Sequence, residues 1–179
     1  MLITVFHLEQ IIPLWPGLTL MGAFALAVLQ CTCDRADSSK SEIDWSQTTR
    51  IVYLYGDSSV PPQYHRSYRI EISPTEVKLT VDSYGTVLAD KSYSITRDEF
   101  DSILNSLSRN AINKVPPRDD EGCTGGTSET ISTFKQQQIT FSGRVYHCGG
   151  EDTGDLGGNV GGFADDLRAF IPELQDLLR

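Results

Sequence analysis

Basic residues are in short supply. The chain has 15 Lys and Arg against 24 Asp and Glu, for a formal net charge of −9. Glu9 and Asp34 supply two of those negative charges within the first 34 residues, leaving −7 from Arg35 onward. No run of Lys or Arg forms a counter-patch, and a surface of this sign repels phosphate backbones, so nucleic acid is not expected as a partner. Histidine is scarcer still: of three, only His65 and His147 lie beyond the N-terminal segment. Neither a G-x-S-x-G elbow nor an H-E-x-x-H helix occurs, and Gly125-Gly126-Thr127-Ser128 lacks the lysine that a phosphate loop needs. Disorder throughout is excluded by composition, because 39% of residues are hydrophobic and 22% charged, as in globular chains.

Charge is also missing from Ile11 to Leu29, a stretch of about nineteen residues dominated by Leu, Ile, Val, Ala, Phe and Met. A bilayer-spanning helix needs about 20 such residues. Pro13, Pro16 and Gly17 weaken the front half as a helix, and the denser Leu18 to Leu29 has the size of a signal-peptide core. The run ends at Cys31 and Cys33, then gives way to Asp34-Arg35-Ala36-Asp37-Ser38-Ser39-Lys40-Ser41. An apolar run, a cysteine and a Ser/Asp-rich tether resemble the leader of a bacterial lipoprotein. That resemblance implies lipidation of Cys31, attachment to the membrane through the N-terminus and a place in the cell envelope. The alternatives are a cleaved secretory signal, an uncleaved anchor and a buried segment of the fold. The expected division is a leader or anchor over 1–33, a polar tether over 34–48 and one domain over 49–179.

The two later cysteines carry a different expectation. Cys31 and Cys33 have no second pair at zinc-site spacing. Cys123 and Cys148 flank a segment that alternates like a hairpin, Ile131 to Phe134 and Ile139 to Phe141, around Lys135-Gln136-Gln137-Gln138. Pairing Ile131 with Phe141 puts Cys123 opposite Gly149, one residue from Cys148. A disulfide there closes a loop whose chain entropy corresponds to about 3 kcal/mol. The rival reading, two separate reduced thiols, belongs to a cytosolic body.

Along the body, Arg50 to Tyr55 has strand composition. Tyr68, Ile70 and Ile72 alternate with Arg69 and Glu71, Ser73-Pro74-Thr75 turns, and Val77, Leu79 and Val81 alternate with Lys78 and Thr80. A hairpin turning at Pro74-Thr75 sets Ile72 against Val77, Ile70 against Leu79 and Tyr68 against Val81, with Glu71 opposite Lys78 on the other face. A further strand is expected over Lys91 to Ile95. Thr96-Arg97-Asp98-Glu99 is a capping box, followed by Phe100, Ile103, Leu104 and Leu107 at helical spacing. Phe163, Leu167, Phe170 and Leu174 form a second helical stripe, with Asp165 and Asp166 expected in its first turn and Pro172 imposing a kink or a break. The predicted fold is α+β, an antiparallel sheet of about six strands in the order ββββ-α-ββ-α, with two helices packed on one face.

Chemistry has few footholds, and no catalytic residue is assigned. Glu151, Asp152 and Asp155, brought near Asp119 and Asp120 by the proposed bridge, offer oxygen ligands to a hard cation such as Ca²⁺, although their spacing is not that of an EF-hand. Tyr64, Arg66 and Tyr68, after Val60-Pro61-Pro62, form a candidate partner surface. A non-enzymatic envelope domain that binds a protein or small ligand is the expected function. The competing expectation is a hydrolase or divalent-cation enzyme with an acidic site near Asp119 and Asp152.

Overall fold

The computed structural model describes residues 43–118 and 125–179. The apolar run, Cys31, Cys33, Asp119, Asp120 and Cys123 lie outside these residues. Among the described residues no helix is long and apolar enough to cross a membrane.

Alternation of apolar and polar residues dictates the first half. Strand β1 (Arg50–Gly56) is followed by β2 (Ser67–Ser73), β3 (Glu76–Ser83) and β4 (Thr86–Ser94) in an antiparallel meander. The β2–β3 register pairs Ile72 with Val77, Ile70 with Leu79, Tyr68 with Val81 and Glu71 with Lys78, as the alternation predicts. All six apolar residues are buried on one face. At the next turn, Tyr84 and Gly85 both take positive φ (49° and 84°), the conformation of a two-residue hairpin whose twist matches its strands. That turn is tight enough to start β4 at Thr86, well before the expected Lys91.

Helix α1 (Arg97–Arg109) begins at the predicted box: Thr96 Oγ1 accepts from the Glu99 amide at 3.2 Å, and the Thr96 amide donates to Glu99 Oε2 at 2.6 Å. Such a cap contributes about 1 kcal/mol. Its buried stripe, Phe100, Ile103, Leu104 and Leu107, lies in one core with the inward residues of β1, β2 and β3.

The second half holds two strands that the sequence reading lacks. Between β5 (Asn113–Arg118) and β8 (Thr153–Gly157) come β6 (Thr127–Lys135) and β7 (Gln138–His147). Among the described residues the sheet therefore has eight strands, not about six, in the order β4-β3-β2-β1-β6-β7-β8-β5, and every pairing is antiparallel. Pro116 and Pro117 concealed β5, but it is an edge strand, where a missing N–H breaks no ladder, and its register with β8 is irregular between Lys114 and Arg118. Gly154 and Gly157 concealed β8. A Cβ on Gly154, whose φ is +105°, would meet the Arg144 carbonyl oxygen at 2.2 Å, so glycine is what lets β8 approach β7.

The β6–β7 register also differs from expectation. Thr133 pairs with Phe141 and Ile131 with Gly143, two residues away from the predicted partners. The turn tightens onto Gln136 and Gln137, with Gln136 at φ 56°, and Thr140 is an extra residue between Ile139 and Phe141. Its hydroxyl bonds that of Thr133 at 2.9 Å.

The described residues hold three helices rather than two, because the pattern breaks at Pro172, as one of the two expected outcomes there, into α2 (Val160–Arg168) and α3 (Leu174–Leu177). Helix α2 starts at an Asn159 cap, so Asp165 and Asp166 fall beyond its first turn. Asp166 instead accepts from Ser106 Oγ, Asn110 Nδ2 (3.1 Å) and Arg109 Nη2 (3.2 Å), fastening α2 to α1. Trp45 and Thr48, within the stretch read as tether, are buried, and Trp45 meets Phe141 edge-on at 5.3 Å. Packing of the body thus begins ahead of residue 49.

Candidate functional site

Glu129 occupies the same face of β6 as Ile131 and Thr133, the face turned to the core, and is buried there. An unpartnered carboxylate in that position would cost several kcal/mol. It has two partners. Tyr53 Oη, from β1, donates to Oε1, and His147 Nε2, at the end of β7, lies 3.0 Å from Oε2. The other imidazole nitrogen, Nδ1, is 2.8 Å from Asp152 Oδ1. Burial disfavours the charged imidazole, but hydrogen bonds to Glu129 and Asp152, reinforced by their charge, outweigh it and hold the His147 pKa above its ordinary value. Both ring nitrogens are thus already engaged by carboxylate oxygens.

The polar line continues on the far side of Tyr53. Tyr68 packs beside it with ring centroids 6.0 Å apart, and Arg168 Nη2, from the end of α2, donates to Tyr68 Oη at 3.2 Å. Burial, with Tyr68 and Glu129 adjacent, pushes the Tyr53 phenol far above its usual range. Tyr53 is therefore a neutral hydrogen-bond bridge inside the core.

Tyr68 also lines a groove of about 380 Å³ together with Tyr55, Asp57, Tyr64, Arg66, Arg168, Gln175 and Leu178. The three residues singled out as a partner surface, Tyr64, Arg66 and Tyr68, thus come together. They differ in role: Tyr64 is 68% exposed at the groove, whereas Tyr68 is 3% exposed and forms a wall. Tyr55 stacks on Tyr68 at 5.0 Å and 21°. Asp57 is occupied by the backbone amides of Ser58 and Arg66, each at 2.8 Å. Arg66 reaches the backbone oxygens of His65 (2.8 Å) and Arg179 (3.1 Å).

The acidic residues near β8 have separate engagements. Asp152 holds His147, while Asp155 is paired with Lys114 Nζ and accepts from the Arg144 amide at 2.8 Å. Glu151 is exposed. Among the described residues, no three of His, Cys, Asp and Glu are arranged to hold a metal ion. A cleft of about 560 Å³ between residues 43–46 and α1 contains Arg97 and Asp101, which neutralise each other at 3.0 Å.

Sequence reasoning missed Glu129, Tyr53, Tyr55 and Arg168. For Glu129 a signal exists: a carboxylate at the inward parity of a strand that also carries Ile131. Arg168 directly follows the buried Leu167 of the α2 stripe, and nothing in the sequence ties it to Tyr68, a hundred positions earlier. The chain matches no family model, no curated protein and no solved structure, so its function is read from its own residues.

Proposed function

We propose that this chain is an exported domain, tethered to the membrane by its N-terminal segment, that acts by binding a partner or ligand in the groove of Tyr64, Arg66 and Tyr68. The observation that carries this reading is the convergence of those three side chains, from a loop and β2, with Arg168 on α2 around one groove. The engagement of His147 by carboxylates at both nitrogens supports binding over acid–base catalysis. Export is supported by the apolar run and by Cys31 at its end. In an oxidising compartment Cys123 and Cys148 form the body's disulfide.

The test places a photo-crosslinking phenylalanine at position 64 of the full chain and irradiates intact cells. The reading expects a discrete adduct in the membrane fraction that disappears when Arg66→Ser is added, with circular dichroism unchanged. No adduct, or one indifferent to Arg66→Ser, would refute it.

A further inference from the structure

The loop of residues 148–152 joins β7 to β8 and is loosely packed at its glycines. Gly149, at φ +79°, and Gly150 each have nothing within 4 Å of where a Cβ would stand. At its far end the loop is fastened by Asp152 Oδ1, 2.8 Å from His147 Nδ1. That imidazole joins two carboxylates in unlike surroundings. The Glu129 side chain is 9% exposed and has a second donor in Tyr53 Oη, whereas the Asp152 side chain is 55% exposed and stands on the loop. The other titratable groups nearby are accounted for. Cys148 and Glu151 share the loop, Arg144 and Tyr146 of β7 bond each other, and Asp155 of β8 is paired with Lys114 of β5. Helix α2 contributes only its uncharged first residues, Val160 and Gly161, to a cleft of about 460 Å³ that His147, Asp152 and Thr153 also line.

We infer that the His147–Asp152 bond is a proton-operated latch: the doubly protonated ring holds the 148–152 loop against β7, and loss of one proton lets the loop go. A charged imidazole donates from both nitrogens and satisfies both carboxylates, whereas the neutral ring has one N–H and one lone pair. The single N–H stays with Glu129, because losing a donor costs a buried carboxylate more than an exposed one, and water replaces the donor at Asp152. Nδ1 then turns its lone pair on a carboxylate, two acceptors repel, and the loop releases. Asp152 and Thr153 line the cleft, so release moves one of its walls. Burial lowers the pKa of the ring, but the bonds to Glu129 and Asp152 outweigh it and raise the pKa above 6.5. The latch is therefore shut at and below that value and opens as pH rises through the raised one.

The test is ¹⁵N NMR of the full chain along a pH series, reading the backbone order of Gly149 and Gly150 beside the His147 ring nitrogens. The expected result is a fall in order parameter at both glycines, from about 0.85 to below about 0.6, with the midpoint of the ring titration. The neutral ring should carry its proton on Nε2. Two substitutions separate a latch from a merely structural contact. Asp152→Ala should leave both glycines mobile at every pH while the β6–β7 amides keep their positions. Asp152→Asn should keep them ordered at every pH, because a carboxamide accepts from the charged ring and donates to the bare Nδ1 of the neutral one. Glycines whose order ignores the His147 titration overturn the inference, as does a neutral ring protonated on Nδ1. A rigid loop in Asp152→Ala, or an Asp152→Asn loop that still loosens with pH, also overturns it. Should either variant fail to fold, the pH series on the native chain decides alone.

Discussion

At the scale of single residues, the one buried carboxylate among the described residues governs the most. Glu129 is tolerated because Tyr53 and His147 both donate to it, and His147 is in turn held by Asp152. Glu129→Ala strips a partner from a buried phenol and from the His147 ring together. We expect a loss of about 2–4 kcal/mol in urea unfolding, where an exposed carboxylate such as Asp98 should change stability by less than about 0.5 kcal/mol. The His147 imidazole contributes a pH dependence of definite sign. Its folded pKa lies above the unfolded value of 6.5, so its stabilisation is complete below that value and is lost as pH rises through the folded one. The stability difference between the native chain and His147→Gln should therefore be largest at acid pH, within the range where the carboxylates stay ionised, and shrink toward alkaline pH. An imidazole midpoint at or below 6.5 in an NMR titration would contradict this.

At the scale of elements, legibility followed locality. The β2–β3 hairpin was readable to the residue pair because six alternating apolar side chains admit only one register that buries them all. The α1 start was readable because a capping box is chemistry confined to four residues. Strands β5 and β8 were hidden because their stabilisation is not local: Pro116 and Pro117 are allowed only by an edge position, and Gly154 only makes sense once Arg144 lies against it. The β6–β7 register slipped for the same reason, since Thr140 and a tight Gln136–Gln137 turn each displace it without altering the alternation. The groove was half legible. Tyr64, Arg66 and Tyr68 lie close together in sequence, but Arg168 reaches Tyr68 only through the packing of α2 on the sheet. A prediction belongs here too. Gly154→Ala forces a side chain into the Arg144 carbonyl at an unfavourable φ, and should cost about 2 kcal/mol or more in denaturant unfolding, with the β7–β8 amides losing hydrogen-exchange protection first. A loss below about 0.5 kcal/mol would mean that β8 is not held against β7 as described.

At the scale of the whole molecule, the described residues form an eight-stranded antiparallel sheet with three helices, and the proposal is that the apolar N-terminal segment takes this body out of the cytosol. A net charge of −9 disfavours contact with a phosphate backbone. Placement outside the cytosol decides both whether Cys123 and Cys148 are oxidised and which molecules can reach the groove. The most direct measurement is the intact mass of the chain extracted from membranes, with and without reductant. The account predicts cleavage after Gln30, an acyl addition on Cys31, and a gain of one pair of hydrogens on reduction. A full-length, unmodified chain recovered from the cytoplasm with every sulfhydryl titratable would contradict it.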